Sequence, residues 1–150
     1  GNLAAAPFAS DNEVMDAIVA GRCDAGLVNT YYYGRLVREK PELPLKLFWP
    51  NQSAATDQLG GVHVNVSGAS VARHAPNRDA AVRFLEYLVS DEAQKIYAEA
   101  NFEYPVKAGA AVHPIIAALG TLKIDSIQLA EIARHRTTAS RLVDKVGLDN

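Results

Sequence analysis

Short apolar runs alternate along this chain with segments that carry the signals of helix starts and helix ends. The runs cover residues 25–29, 45–49 and 62–66, and in the last of them valine alternates with polar residues. Runs of this length suit β-strands, and small-and-apolar runs suit strands that are buried in a parallel sheet. Strands that alternate with helices predict an α/β fold, with a mostly parallel sheet flanked by helices.

The helix signals are local and specific. Ser10 and Glu13 have the spacing of a capping box, which predicts a helix over residues 11–20 that is closed by Gly21. Further helices are predicted over about 32–39, from Asn77, after a cap at Ser90, from Pro114 to Gly120, and from a cap at Ser126 to about Val146.

Composition excludes several classes of protein. With 49% hydrophobic and 21% charged residues, the chain has the profile of a folded globular protein rather than a disordered one. Its net charge of −2 and lack of long basic clusters argue against nucleic acid or anionic membrane as a partner. No apolar stretch is long enough for membrane insertion, and residues 1–10 lack the pattern of a secretion signal. Cys23 is the single cysteine, so an internal disulfide and a thiolate zinc cluster are excluded.

Three consecutive tyrosines, Tyr31, Tyr32 and Tyr33, follow the first apolar run. Ligands of open α/β sheets gather where strands end, so the position favours a binding site. Phenolate is a hard anionic oxygen ligand that suits a hard trivalent cation such as ferric iron. A free phenol titrates near pH ~10, and the amides of a helix N-terminus favour its anion. The alternative is that these rings pack a cleft wall or a sheet edge, and position alone does not decide between the two.

The remaining candidates favour structural roles. The four histidines, His63, His74, His113 and His135, lack the spacing of a helical metal pair. Residues 67–70 lack the glycine spacing and the lysine of a phosphate loop, so we expect a tight turn there. Acidic pairs at 11 and 13 and at 91 and 92 are explained by helix capping. No nucleophile with a base can be assembled, so we do not expect an enzyme.

Four motifs in order resemble one family. They are GRCDAG at residues 21–26, NTYY at 29–32, HVNVSG at 63–68 and EYPV at 103–106. Together they resemble the periplasmic ferric-iron binding proteins of ABC transporters, which are bacterial transferrin-like members of the type II periplasmic binding proteins. The resemblance covers nearly the whole chain, and the tyrosine pair is its chemically diagnostic part.

The resemblance implies a fold and a site. Two lobes would close on one ferric ion, with Tyr31 and Tyr32 as metal ligands from the second lobe, while Tyr33 falls outside the pair. Asn29 matches a position that binds a synergistic anion in some members, and Asp11 falls near another such position. The receptor would lie in the periplasm, or be lipid-anchored outside the cell, and would deliver iron to an ABC transporter permease in the inner membrane. Its signal segment would not be in this chain.

The resemblance also divides the chain. Residues 1–52 would belong to the second lobe, 53–110 would contain a hinge and the return segment of the first lobe, and 111–150 would form the C-terminal helices of the second lobe. The N-terminal part of the fold, with the remaining ligands, would be missing. We therefore expect exposed apolar surface, which favours self-association of the chain.

Two other functions share these sequence features. One is a receptor of the same fold for another small ligand, such as an organic anion or a polyamine, in which the tyrosines stack on the ligand. The other is the effector domain of a transcription regulator, which needs a basic helix-turn-helix that this chain does not show.

Overall fold

The computed structural model describes residues 6–53 and 60–148. The chain divides into two compact units, each assembled from separated stretches of sequence. The first unit comprises Gly1–Val28, Pro44–Val64 and Leu122–Asn150, and the second comprises Asn29–Leu43 and Asn65–Thr121. The division of the chain between the lobes of a complete receptor stays a prediction.

All predicted helices are present in the described residues. They are α1 (Asp11–Val19), α2 (Thr30–Glu39), α3 (Arg78–Leu88), α4 (Asp91–Asn101), α5 (Pro114–Ala117) and α6 (Leu129–Val146). Helices α1 and α6 belong to the first unit, and the other four belong to the second.

The serine caps explain where two helices begin. Ser10 Oγ accepts a hydrogen bond of 3.3 Å from the Glu13 amide, and the Glu13 carboxylate accepts one of 3.1 Å from the Ala9 amide. At the start of α4, Ser90 Oγ accepts a hydrogen bond of 3.2 Å from the Ala93 amide. These contacts satisfy amides that have no partner within the helix, and they confirm both predicted caps.

Two helix starts differ from prediction. Helix α2 begins at Thr30, two residues earlier than expected. Helix α6 begins at Leu129 after Gln128, so the predicted cap at Ser126 is wrong. The carboxylate of Asp125 accepts a hydrogen bond of 3.2 Å from the Ile127 amide. This contact turns the chain over residues 125–127, which delays the helix.

The predicted sheet is reduced to one bridge within the described residues. Val62 pairs with Ile124 in a parallel bridge, while residues 25–29 and 45–49 have no strand ladder in the structure. Leu27 and Phe48 in these runs are 93% and 74% exposed. A parallel strand needs a hydrogen-bonded neighbour from distant sequence, and local apolar patterning cannot supply one. Residues 54–59 of the predicted loop and hinge lie outside the described residues.

In the first unit, α1 provides the packed face. Met15 and Ala17 are buried, and the backbone at Gly26 approaches this helix at Val14 and Ile18. The approach is so close that a Cβ at Gly26 would stand 2.3 Å from Val14 Cγ1. Helix α6 of the same unit has no buried residue, and large apolar side chains such as Leu129 are exposed.

The parallel bridge is reinforced by side chains. The Gln52 side-chain amide donates to the Lys123 carbonyl at 2.9 Å and accepts from the Lys123 amide at 2.6 Å. His63 Nδ1 lies 3.0 Å from the carboxylate of Asp125. These contacts join segments that are far apart in sequence.

In the second unit, the core lies between α2, α4 and α5. Ala98, Phe102 and Ile116 are almost completely buried there. Gln94, a buried polar residue, donates to the Leu88 carbonyl at 2.8 Å and accepts from the Val106 amide at 2.7 Å. Both the NH₂ group and the oxygen of its side-chain amide therefore have hydrogen-bond partners, so its burial leaves neither group unpaired.

Two further observations complete the fold. Residues 67–70 form an exposed segment without an assigned turn, so the expected tight turn there is wrong. In the described part of the chain, no helix combines the length and the apolar character that a membrane crossing requires.

Candidate functional site

The tyrosine pair lies in the first turn of α2. Asn29 is the N-cap residue, with the extended backbone (φ −76°, ψ 139°) that caps favour, and its side chain makes no capping hydrogen bond. Its carbonyl accepts a hydrogen bond of 3.2 Å from the Tyr32 amide. Tyr31 and Tyr32 are therefore the second and third residues of the helix.

The rings of the pair lie side by side. Their centroids are 4.5 Å apart and their planes are inclined by 36°. Neighbouring helical residues point about 100° apart, so this closeness requires the side chains of Tyr31 and Tyr32 to converge. Both residues are half-buried.

Two sources of positive charge lie beside the rings of Tyr31 and Tyr32, namely the helix N-terminus and the guanidinium of Arg35. The first turn of α2 contains no acidic residue, and its amides give the helix N-terminus a partial positive charge. The guanidinium carbon of Arg35 lies 5.4 Å from the ring centroid of Tyr31 and 5.8 Å from that of Tyr32. Such surroundings suit an anionic oxygen ligand.

The underside of α2 is fixed by close packing. Gly34 is buried, and a Cβ there would stand 2.6 Å from Cγ of Phe102. Phe102 ends α4 in the left-handed conformation (φ 60°), and its ring meets that of His113 edge-on at 4.4 Å. The guanidinium of Arg38 lies 4.9 Å from the centre of the same ring. The close contact between Gly34 and Phe102 therefore holds the helix that carries the tyrosines, and we call this contact the seat of α2.

A polar link that the sequence analysis missed lies beside the tyrosines. Arg35 Nη2 donates a hydrogen bond of 3.1 Å to Asn101 Oδ1, and Asn101 Nδ2 lies 3.5 Å from the Glu103 carboxylate. The helical spacing of Arg35 from Tyr31 was visible in the sequence, because residues four apart share a helix face. The link to Asn101, 66 residues further on, was not visible.

The two predicted anion-binding residues stand at helix starts. Asn29 precedes α2 in the second unit, whereas Asp11 is the first residue of α1 in the first unit and is half-buried. Their role toward an anion stays a prediction.

Three of the four histidines contact neighbouring backbone or carboxylate groups. His113 Nδ1 accepts a hydrogen bond of 3.1 Å from the Ile115 amide and caps α5. His135 Nε2 lies 2.9 Å from the carboxylate of Glu131 on the exposed face of α6, and His63 pairs with Asp125. Among residues 6–53 and 60–148, no group of three or more histidine, cysteine, aspartate or glutamate side chains could hold a metal ion. The hydroxyl oxygens of Tyr31 and Tyr32 stay the predicted metal ligands.

Comparison with known proteins places these observations in a family. Residues 3–95 match the family model of bacterial extracellular solute-binding proteins. Iron uptake protein A2 of Synechocystis is 42% identical over 98% of this chain and 43% of its own length. The chain thus spans less than half the length of this relative.

Solved structures agree with the sequence relatives. The apo ferric ion-binding protein A of Pasteurella haemolytica superimposes with a TM-score of 0.88 at 38% identity, over 99% of this chain and 46% of that one. A Trichodesmium protein in complex with iron and citrate superimposes with a TM-score of 0.85 at 41% identity, over 98% of this chain and 47% of that one. The fold of this chain is therefore that of about half of such proteins, and the chain belongs to the family of bacterial extracellular solute-binding proteins.

Proposed function

We propose that the chain forms part of a receptor that captures ferric iron and delivers it to an ABC-type import permease, without chemical conversion of the cargo. One observation carries the proposal. Two adjacent half-buried tyrosines lie in the first turn of α2 with their ring centroids 4.5 Å apart. The iron-related names of the relatives support the same reading.

The chemistry of the pair suits this cargo. Phenolates are hard anionic oxygen ligands, and ferric iron is a hard cation. Rings as close as those of Tyr31 and Tyr32 can present both oxygens to one ion. The helix N-terminus and the Arg35 guanidinium favour the negative charge that the ligands need. Both tyrosines act as metal ligands in this proposal.

An anion completes the proposed site. Two protein ligands leave most of the coordination sphere of the metal to other oxygen atoms. Asn29 lies at the N-terminus of α2, where anions are favoured, and we assign it to anion binding. We assign the same role to Asp11, the first residue of α1 in the other unit. The Trichodesmium relative with iron and citrate supports a carboxylate as this anion.

Membership of an extracellular solute-binding family supports a location outside the inner membrane. We assign the receptor to the periplasm, with a permease of the inner membrane as its partner. The receptor role needs no catalytic group, so this proposal describes a binding protein rather than an enzyme.

Ferric titration followed by visible absorbance tests the proposal. Phenolates bound to ferric iron should give a charge-transfer band, which Tyr31→Phe and Tyr32→Phe should each weaken strongly. Each substitution should lower ferric affinity by more than the roughly 10–100-fold that loss of an outer-shell partner costs. The substitutions belong in this chain and in any longer protein that contains it.

Tyr33→Phe is the matched control, because this ring is the next along α2 and lies outside the proposed ligand pair. It should leave the band and the affinity nearly unchanged. If Tyr31→Phe and Tyr32→Phe both behaved like Tyr33→Phe, the tyrosines would be packing residues and the proposal would fail.

A further inference from the structure

Arg35 shares one face of α2 with both tyrosines of the pair. It follows Tyr31 by four residues and Tyr32 by three, and these two spacings bring side chains together on a helix. Its guanidinium carbon lies within 5.4 and 5.8 Å of the two ring centroids, a range in which cations attract aromatic rings. One planar cation therefore contacts both rings.

The same guanidinium is anchored to another helix. It donates a hydrogen bond of 3.1 Å to Asn101 Oδ1, at the last residue of α4. The C-terminus of a helix carries partial negative charge, and the nearby Glu103 carboxylate adds to it. Arg35 is half-buried, so its charge is partly shielded from water at this contact. The side chain is thus held at its charged end rather than free to rotate.

We propose that Arg35 is a positioning residue, which holds the rings of Tyr31 and Tyr32 together before a metal ion arrives. The link to Asn101 fixes the guanidinium, and the guanidinium limits the rotamers that the two rings can adopt. Ligands that are already arranged lose less conformational entropy when they bind. The benefit for ferric binding rests on the proposed function, whereas the arrangement of the rings is a property of the metal-free chain.

The proposed role of Arg35 depends on the planar shape of its guanidinium, so it can be distinguished from an effect of positive charge alone. Lysine would keep the positive charge but lose the planar fork that stacks on rings and donates to an amide oxygen. Arg35→Lys should therefore resemble Arg35→Met, which keeps the bulk of the side-chain stem. Asn101→Ala should reproduce part of the effect, and the double variant should be no worse than Arg35→Met alone, because both changes break the same link.

Arg38 provides the matched control. Arg38 is also a residue of α2, and its guanidinium also lies over an aromatic ring, 4.9 Å from the centre of Phe102. Arg38 lies about one helical turn beyond Arg35 and is therefore further from the tyrosines. Arg38→Met removes the same charge and the same type of contact from the same helix. A general loss of stability or charge would therefore appear in both variants.

The test compares the metal-free variants by NMR and then titrates them with ferric citrate. We expect inter-ring nuclear Overhauser effects between Tyr31 and Tyr32 in the parent chain and in Arg38→Met, and their loss in Arg35→Met. We also expect ferric affinity to fall about tenfold in Arg35→Met, as for loss of both ring contacts, and to stay unchanged in Arg38→Met.

Unchanged ring contacts in Arg35→Met would overturn the positioning role, whether or not ferric affinity falls in that variant. Absence of a charge-transfer band in a longer protein that contains this chain would instead count against the proposed function. The NMR comparison would still decide whether Arg35 positions the rings, so the two failures are distinguishable.

Discussion

The tyrosines of this chain differ in their surroundings, and the difference bears on how well each phenol suits metal ligation. Tyr31 and Tyr32 are half-buried beside a guanidinium and a helix N-terminus. Tyr104 has a hydroxyl that is shielded from solvent, and burial raises the pKa of its phenol above the ordinary value. A shielded phenol is stabilised as the neutral form, which suits packing and disfavours metal ligation.

The raised pKa of Tyr104 predicts a loss of stability in alkali. Above the pKa of the unfolded chain, near pH ~10, the unfolded state releases the proton while the folded state keeps it. The contribution of this phenol is therefore complete below that pH and is lost as the pH rises through the higher folded value. Urea unfolding should show a smaller alkaline loss for Tyr104→Phe than for the parent chain. Identical pH profiles would contradict this prediction.

At the scale of helices, local signals and packing each decide different features. Serine caps set the starts of α1 and α4. The seat of α2 is a tertiary feature, because Gly34 admits the ring of Phe102 from the end of α4. The orientation of the tyrosine helix therefore depends on a residue without a side chain.

Gly34→Ala tests this seat. Alanine would gain up to about 1 kcal/mol of helix propensity, but its Cβ would stand 2.6 Å from a fully buried ring. Overpacking typically costs about 1–3 kcal/mol, so we expect net destabilisation and a weakened ferric band. Thermal unfolding measures the first effect and absorbance the second.

Gly68→Ala is the control for this prediction, since among the described residues no atom beyond its chain neighbours stands within 4 Å of a Cβ at Gly68, and its backbone is not left-handed. It should change the melting temperature little. Adding Phe102→Leu to Gly34→Ala should make the alanine less costly, because a smaller side chain relieves the clash. Equal melting temperatures for Gly34→Ala and Gly68→Ala would contradict the role of the seat.

At the scale of the whole molecule, the chain matches less than half the length of a relative from Synechocystis. It spans 43% of the Synechocystis relative, and each of its two units is assembled from separated stretches. Apolar residues such as Leu27 and Phe48 are highly exposed. The self-association expected from such surface stays a prediction.

Iron binding by the 150-residue chain should be weak or absent. The tyrosine pair supplies two ligands, so water or added anions must fill most of the coordination sphere. We expect an equimolar chelator such as nitrilotriacetate to hold most of the ferric iron in competition with the chain. Tight stoichiometric binding by the monomeric chain in that experiment would contradict this expectation. Citrate in excess should strengthen the charge-transfer band if an anion completes the site.

The sequence by itself determined the helices and the chemistry of the candidate ligands. Capping serines, prolines and glycines act over a few residues, so their effects are readable without the fold. Three consecutive phenols likewise predict hard oxygen ligands for a metal ion at the start of α2. The resemblance to ferric-binding proteins rested on the same local motifs.

Only the tertiary structure decided which distant residues support the pair. The hydrogen bond from Arg35 to Asn101, the packing of Phe102 on Gly34 and the pairing of Val62 with Ile124 each join residues that are far apart in the chain. Sequence periodicity predicts which face of an element is apolar, but it does not say what that face meets. Strand pairing depends most on such distant partners, which is why local signals located the helices but could not give the pairing of the strands.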